Sequence, residues 1–293
     1  SGVMSTLSCY RVPDANVVGW NVLTNMPTVH AYRAPGAPQT YFAVECAIDE
    51  LARRLGIDPI DMRLRNVLRP GDTDGRGMTL GAIGYAETLE ATKAHPHYAA
   101  PLGQNQGRGI ACGSWGNYGG PSTAAVSLAE GGSIRVTEGN PDIGGSRAAM
   151  AMMAAETLGI AYEKVRVTVA DTSSIGYSMG TGGSRTTFAT GMAVVQVVEA
   201  VIEIMKQRAA QMLGADAAGI EWRDGAAVLG EQRLSIAEIA AKSGMTGGPI
   251  SAEAAIHPGG FLPGFGAHIC DLEIDPETGH TTVVRYTALQ DVG

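Results

Sequence analysis

The tetrapeptide Gly-Gly-Ser-Arg occurs twice in this 293-residue chain, at Gly144–Arg147 and at Gly182–Arg185. Each copy lies between extended or irregular chain and the start of a helical pattern. Glycine lets the main chain approach a ligand closely, and a helix start offers N–H groups with a partial positive charge. Serine adds a hydroxyl and arginine a full charge. Together these features make a cradle for an anion. A third small-residue loop, Arg33-Ala34-Pro35-Gly36-Ala37-Pro38, opens onto another helix with the same logic. Three such loops are enough to surround one polyanion. The plainer reading makes them ordinary helix entries, with Ser146 and Ser184 as N-caps and the arginines in water. The residues alone leave both readings open. Two familiar phosphate grips are missing from the sequence: no Gly-x-Gly-x-x-Gly follows a strand, and no Gly-x-x-x-x-Gly-Lys-Ser/Thr occurs.

Other chemistry-bearing residues form weaker patterns. The pair His95 and His97, around Pro96, falls at a helix end, which favours surface capping over metal binding. Ser114 does not sit in a Gly-x-Ser-x-Gly elbow, so serine hydrolase chemistry has no support. Asp142 is placed to act as a base, yet an acidic residue ahead of a helix is more often a cap or brace. Met150, Met152 and Met153 read as core packing on a small-residue helix. Cys9, Cys46, Cys112 and Cys270 lack CxxC spacing and read as buried thiols, not as a zinc or iron–sulfur site.

The elements that must position these loops are legible in outline. Residues 38–56 carry Phe42, Cys46, Ile48, Leu51, Ala52 and Leu55 at helical spacing, with Gly56 as a stop. Asp58 as N-cap and Pro59 at the first helical position begin a second helix, and a third lies near 84–95. The period then changes to two: residues 122–129 and 133–138 flank Glu130-Gly131-Gly132, which suits a hairpin. A helix at 148–158, a strand at 165–169, a long helix at 187–213 and a short one at 236–241 follow. Strands at 268–274 and 281–286 surround Asp275-Pro276-Glu277-Thr278-Gly279. The expected fold class is α+β, with mixed, partly antiparallel sheets packed with helices. We divide the chain into a mainly helical part, 1–105, and an α+β part, 106–293.

Composition narrows the function classes. Hydrophobic residues make up 45% and charged residues 17%, as in a packed globular protein. The net charge of −8 and the lack of any basic run argue against a nucleic-acid or anionic-membrane surface. No run of about 18 apolar residues is read, so a soluble cytoplasmic product is expected, with the periplasm left open. Both chain ends read as cuts, at Ser1-Gly2-Val3 and at Asp291-Val292-Gly293.

Three ordered runs, Tyr32-Arg-Ala-Pro-Gly-Ala-Pro-Gln39, Glu45-Cys-Ala-Ile-Asp-Glu-Leu-Ala52 and Gly56-Ile-Asp-Pro-Ile-Asp-Met-Arg-Leu-Arg-Asn66, resemble the xanthine dehydrogenase and aldehyde oxidase family. Asn140–Arg147, Thr181–Thr187 and the run from Asp275 through Asp291-Val-Gly293 fall in that family's order, so the resemblance spans essentially the whole chain. It implies an internal piece of a molybdenum-binding large subunit, with portions missing at both ends. The implied cofactor is molybdopterin carrying molybdenum, in the plain or cytosine dinucleotide form. By resemblance, Arg33 and Ala34 approach the molybdenum ligands, and the Gly183 backbone faces the metal. Gly182, Ser184, Arg185 and Thr186 then lie on the pterin phosphate side, with Gly144, Gly145 and Ser146 opposite.

Three departures qualify the resemblance. Many relatives have Gly-Gln-Gly at 144–146; Pro35 replaces an aromatic that packs on purines; and no loop cysteine suits a copper–sulfur centre. The implied activity is hydroxylation of aldehydes or N-heterocycles with water as oxygen donor, with the glutamate base beyond Gly293, so no catalytic residue is named here. Electron-carrying [2Fe-2S] and FAD centres belong to partner subunits or domains, and the piece is expected to be inactive alone. A phosphate- or nucleotide-binding module without redox chemistry, and a self-associating structural domain forming a homodimer, are the alternatives.

Overall fold

Strand pairing, not chain order, divides the molecule. The computed structural model describes residues 2–292; Ser1 and Gly293, which figure in the readings of the chain ends, lie outside the described residues. Two compact units result: Ser1–Gly116 with Leu262–Gly293, and Asn117–Phe261. The sequence-based division at 105/106 follows the chain, whereas the C-terminal strands join the first unit because they pair with a strand there.

The first unit begins with a short turn, α1 (Gly2–Ser5), and irregular chain as far as Gly36. Next come α2 (Ala37–Leu55), α3 (Pro59–Asn66), α4 (Tyr85–Ala94) and α5 (Pro96–Ala99). Gly56 ends α2 as expected: its left-handed φ of 63° carries its N–H back to the Ala52 and Arg53 carbonyls. Asp58 caps α3, accepting from the Ile60 and Asp61 N–H groups at 2.9 and 3.0 Å. The strand β1 (Gln106–Tyr118) was not anticipated, because its glycines at 107, 109, 113 and 116 blur the period of two.

In the second unit β2 (Ser122–Leu128) and β3 (Ile134–Glu138) form the expected antiparallel hairpin. Helix α6 (Ser146–Leu158) leads to β4 (Val165–Val169), which lies parallel to β3. Helix α7 (Gly191–Leu213) follows a π-helical turn at Thr186–Thr190. A small sheet of β5 (Glu221–Arg223), β6 (Ala226–Leu229) and β7 (Gln232–Ser235) leads into α8 (Ile236–Ala241) and α9 (Ser243–Thr246). The strand β8 (Ser251–Ile256) completes a sheet ordered β4-β3-β2-β8. Back in the first unit, β9 (Phe261–Ile274) and β10 (Thr281–Asp291) pair antiparallel, and the order there is β1-β9-β10.

Apolar burial corrects three readings. First, the stripe predicted inward on α2 is largely outside, with Phe42 76%, Leu51 49% and Leu55 61% exposed. The face turned inward carries Ala37, Tyr41, Glu45, Ile48 and Ala52, at spacings of three, four and seven. Glu45 can be there because it meets Arg63: Glu45 Oε2 lies 2.9 Å from Arg63 Nη2 and accepts from the Cys112 N–H at 2.7 Å, while Tyr10 donates to Oε1 at 2.5 Å. Asp49 adds a second carboxylate 2.7 Å from Arg63 Nη1.

Second, residues 186–213 are long and apolar enough to cross a membrane, contrary to the reading that no such run exists. Val194, Val197, Val198, Val201 and Met205 on this helix are fully buried against α6 and the β-sheet, so the run is the central core helix of the second unit. Third, only Cys9 and Cys112 are buried, Cys46 being exposed and Cys270 intermediate. The methionines also divide. Met150 is in the core and Met153 packs on it, whereas Met152 is 60% exposed.

The buried cluster gives a stability test. Glu45→Gln leaves Arg63 with weaker neutralisation inside the first unit and should cost about 3 kcal/mol. Glu50→Gln, whose ion pairs with Arg53 and Arg54 are exposed, should shift the urea midpoint negligibly. Equal midpoint shifts for the two variants would contradict this packing.

Candidate functional site

The second Gly-Gly-Ser-Arg is a surface loop anchored by a buried arginine. Gly182, Gly183 and Ser184 are exposed, and Arg185 is fully buried. Gly183 (φ 65°) and Ser184 (φ 56°) are both left-handed, a conformation that costs a serine on the order of 1–3 kcal/mol. Gly183 is fixed twice over: its carbonyl accepts from the Tyr118 N–H at 3.2 Å, and a Cβ there would lie 2.8 Å from Tyr118 Cδ2. Gly182 meets neither constraint, since an added Cβ would have no atom within 4 Å.

Arg185 does not reach into solvent. Its Nε donates to the Gly119 carbonyl at 3.3 Å, and its Nη2 donates to the Gly120 and Pro121 carbonyls at 3.2 and 2.8 Å and to Ser122 Oγ at 2.5 Å. Nη1 donates to the Met179 carbonyl at 2.5 Å and to Asn140 Oδ1 at 3.3 Å. Thr186, also buried, shares a hydrogen bond with Thr181 across the loop at 3.1 Å. The π turn that follows, with Thr186 in its first position, replaces the simple helix entry expected with Ser184 as N-cap.

The first Gly-Gly-Ser-Arg is built differently. Gly144 (φ 64°) and Gly145 (φ 81°) are exposed, and added Cβ atoms would touch nothing within 4 Å. Ser146 is buried, and its hydroxyl braces the loop by accepting from the Ile143 N–H at 3.3 Å. The first turn of α6 is capped by Asp142, which accepts from the Arg147 N–H at 3.1 Å and pairs with the Arg147 guanidinium at 3.3 Å. Asp142 is thus a brace, and Ser146 is no N-cap.

Buried Asn140, which sequence reasoning missed, ties the two copies together. Its Oδ1 accepts from Arg185 and its Nδ2 donates to Thr190 Oγ1 at 3.0 Å. The neighbouring Glu138 is buried at the end of β3; burial pushes its carboxyl above the ordinary glutamate value, although Oε2 accepts from the Asn140 N–H at 2.6 Å. Asn140 opens the run 140–147 that carries the resemblance, but nothing in its type gave it a role, and no sequence signal distinguished Glu138.

The third loop stands in the first unit. Arg33 (φ 31°), Ala34 (φ 52°) and Gly36 (φ 73°) are all left-handed, and the Ala37 N–H closes the turn on the Ala34 carbonyl at 2.9 Å. Arg33 is exposed. Ala34, Ala37 and Tyr41 face a cleft of about 500 Å³ with Ser114, His268 and Tyr286 on its other walls. There His268 Nδ1 and the Tyr286 hydroxyl share a hydrogen bond of 2.6 Å, and burial lowers the His268 pKa.

The histidine pair also divides. His95 caps α5 by accepting from the His97 N–H, whereas His97 is buried, 3.1 Å from Asp271 and 2.8 Å from Thr287 Oγ1. Surface capping therefore describes His95 only.

Among the described residues no group of three His, Cys, Asp or Glu side chains is placed to hold a metal ion. What the second unit offers is exposed, side-chain-free main chain at the starts of two joined helices, over a buried positive charge. That donor set suits a bulky anion carrying its own metal ligands, so these features define the chain as a cofactor-binding protein of α+β build. The chain belongs to the molybdopterin cofactor-binding domain family: one family profile of that description matches residues 80–293 and a second matches residues 1–67.

Relatives agree. The putative xanthine dehydrogenase molybdenum-binding subunit XdhA of Escherichia coli K12 is 31% identical over 92% of this chain and 39% of its own length. The aldehyde oxidoreductase of Megalodesulfovibrio gigas is 33% identical over 63% of this chain and 22% of its own length. The fold is similar to quinoline 2-oxidoreductase from Pseudomonas putida 86, at TM-score 0.76 and 25% identity over 90% of this chain and 38% of that one. It is similar also to CO dehydrogenase from Oligotropha carboxidovorans, at TM-score 0.77 and 23% identity over 87% and 37%. The chain thus spans well under half the length of these relatives. Molybdopterin binding is its function, and neither a nucleotide module without redox chemistry nor a purely structural domain is favoured.

Two outcomes test the geometry. Gly183→Ala should destabilise the second unit by roughly 1–3 kcal/mol, and Gly182→Ala by much less, in thermal melts. Glu138→Gln should stabilise at pH 7. Below the ordinary glutamate value the carboxyl is protonated in both the folded and unfolded chain and nothing is lost; the cost of burying it appears as pH rises from there through its raised folded value. The gain should therefore shrink as pH falls to 4, and a pH-independent gain would contradict this burial.

Proposed function

We propose that the chain supplies the main-chain part of the molybdopterin grip in a molybdenum hydroxylase acting on aldehydes or N-heterocycles, with water as oxygen donor. The observation that carries this reading is the exposed run Gly180–Ser184 beside the fully buried Arg185, in which neither backbone conformation nor a packed neighbour demands glycine at Gly180 or Gly182, so the main chain there is open to a ligand. Gly144, Gly145 and Ser146 would bind from the α6 start, Gly182, Gly183 and Ser184 from the loop ahead of the π turn, and Thr186 from its first position. Arg33 and Ala34 would offer their strained loop, with Arg33 and the Gly183 backbone in the molybdenum environment. The cofactor, when bound, supplies two-electron redox chemistry.

The chain's own residues hold, orient and exclude water, and none is assigned as the base. The cytosine dinucleotide form, [2Fe-2S] and FAD centres on partner subunits, and a cytoplasmic setting complete the proposal. Relatives bearing xanthine dehydrogenase and aldehyde oxidoreductase names support it.

Gly182→Val tests the reading directly. Produced in a host competent for molybdopterin synthesis, the parent chain should carry molybdenum and pterin, measured by elemental analysis and by pterin fluorescence after oxidation. The variant should fold with an unchanged circular dichroism spectrum yet lose most of both. Full retention of pterin would reject the placement at 182–186.

A further inference from the structure

Among the described residues two arginines are fully buried, and their charges are accommodated in opposite ways. Arg63 has two carboxylates within 3 Å, Glu45 and Asp49. Arg185 has six hydrogen bonds, all to neutral acceptors, and among the described residues no carboxylate lies within 4 Å of it. Buried charges are normally paired or coordinate an ion of opposite sign. Carbonyl dipoles solvate the guanidinium but cannot cancel its charge. Net positive potential therefore persists around it, at low dielectric, beneath the exposed loop 180–184.

The hydrogen bonds also orient the loop. A trans peptide points its C=O and N–H in opposite directions. The Met179 carbonyl turns toward Arg185, so the Gly180 N–H turns away from it, at the head of the exposed Gly180–Ser184 run. The Gly119 peptide behaves the same way: its carbonyl accepts from Arg185, and the Gly120 N–H donates to the Pro258 carbonyl at 2.9 Å.

We propose that Arg185 is a positioning residue that acts without touching the ligand: its uncompensated buried charge, together with the peptide it orients at 179–180, selects an anionic group, of phosphate type, at loop 180–184. The proposal rests on the molybdopterin reading above, and it replaces direct contact by Arg185 with action through the main chain. It also explains why this loop needs no charged side chain of its own.

Asn140 provides the decisive variant. Asn140→Asp places a carboxylate beside Arg185 Nη1, supplying the missing counter-charge while removing none of the guanidinium donors; Thr190 can donate to the new carboxylate. Melting of the full 293-residue chain is followed with and without inorganic pyrophosphate at matched ionic strength. The parent should gain a few degrees at saturation. Arg185→Lys, which keeps charge but loses the fork, should melt lower and keep most of the gain. Asn140→Asp should melt no lower than the parent and lose the gain.

An undiminished gain in Asn140→Asp, or no gain in the parent, overturns the role of Arg185. Parent protein that carries pterin but shows no pyrophosphate gain condemns this inference alone. Parent protein without pterin from a competent host condemns the cofactor reading itself.

Discussion

A guanidinium kept from water must find acceptors for five N–H groups, and in Arg185 those acceptors come from three places in the sequence. Residues 119–122, 140 and 179 are thereby fixed around the start of the π turn. Met179 N–H in turn donates to the Pro121 carbonyl, and Thr123 holds Tyr177 and Ser178, so the chain before the glycine loop is bound to the start of β2. Asn140 extends the same network to the entry of α6. Glycines can lie exposed above this frame because their positions are set from beneath. The proposed anion-binding face can then be bare main chain.

The first unit solves its own burial problem with full charge compensation. Glu45, Asp49 and Arg63 join α2 to α3, and the Cys112 N–H brings β1 to the same carboxylate. Both buried thiols lie in this region, and burial first, then neighbouring negative charge, raises their pKa; the Cys112 thiol is pushed up to about 12. They are packing groups, not nucleophiles. Besides the left-handed Asn105, a residue type that tolerates that region, the unit holds Arg33 and Ala34 as two successive left-handed residues that are not glycine. Strain of that kind persists only where surrounding structure over-determines it, here at the entry to α2.

Much of this was legible in the sequence, where local chemistry fixes local structure. Asp58-Pro59, Gly56 and Glu130-Gly131-Gly132 each specify a cap, a stop or a turn through their own backbone preferences, and each does so in the structure. The repeated Gly-Gly-Ser-Arg marked the two helix entries. What it could not show is that identical tetrapeptides have opposite arginines: Arg147 is surface-exposed and paired with Asp142, whereas Arg185 is buried. Only the surrounding fold separates them. The buried side of α2 was misread for a related reason, since periodicity places Glu45 outside until its partner eighteen residues away is known. The strand β1 was hidden by glycines that leave no alternating pattern.

The glycines themselves separate folding from function. At Gly183 the left-handed backbone and the Tyr118 ring each require glycine, so folding alone explains the residue. At Gly144 and Gly145 backbone conformation is a sufficient reason, though the space above them is empty. At Gly182 neither reason applies, and glycine there costs conformational entropy that a larger residue would save. Gly180, in the same exposed loop, is free of both reasons too, so the pair leaves an open stretch of main chain rather than a single gap. Between a loop whose shape is dictated from below and a position open from above, the proposed site is made of main chain, and its proposed preference for an anion rests on a charge that never reaches the surface.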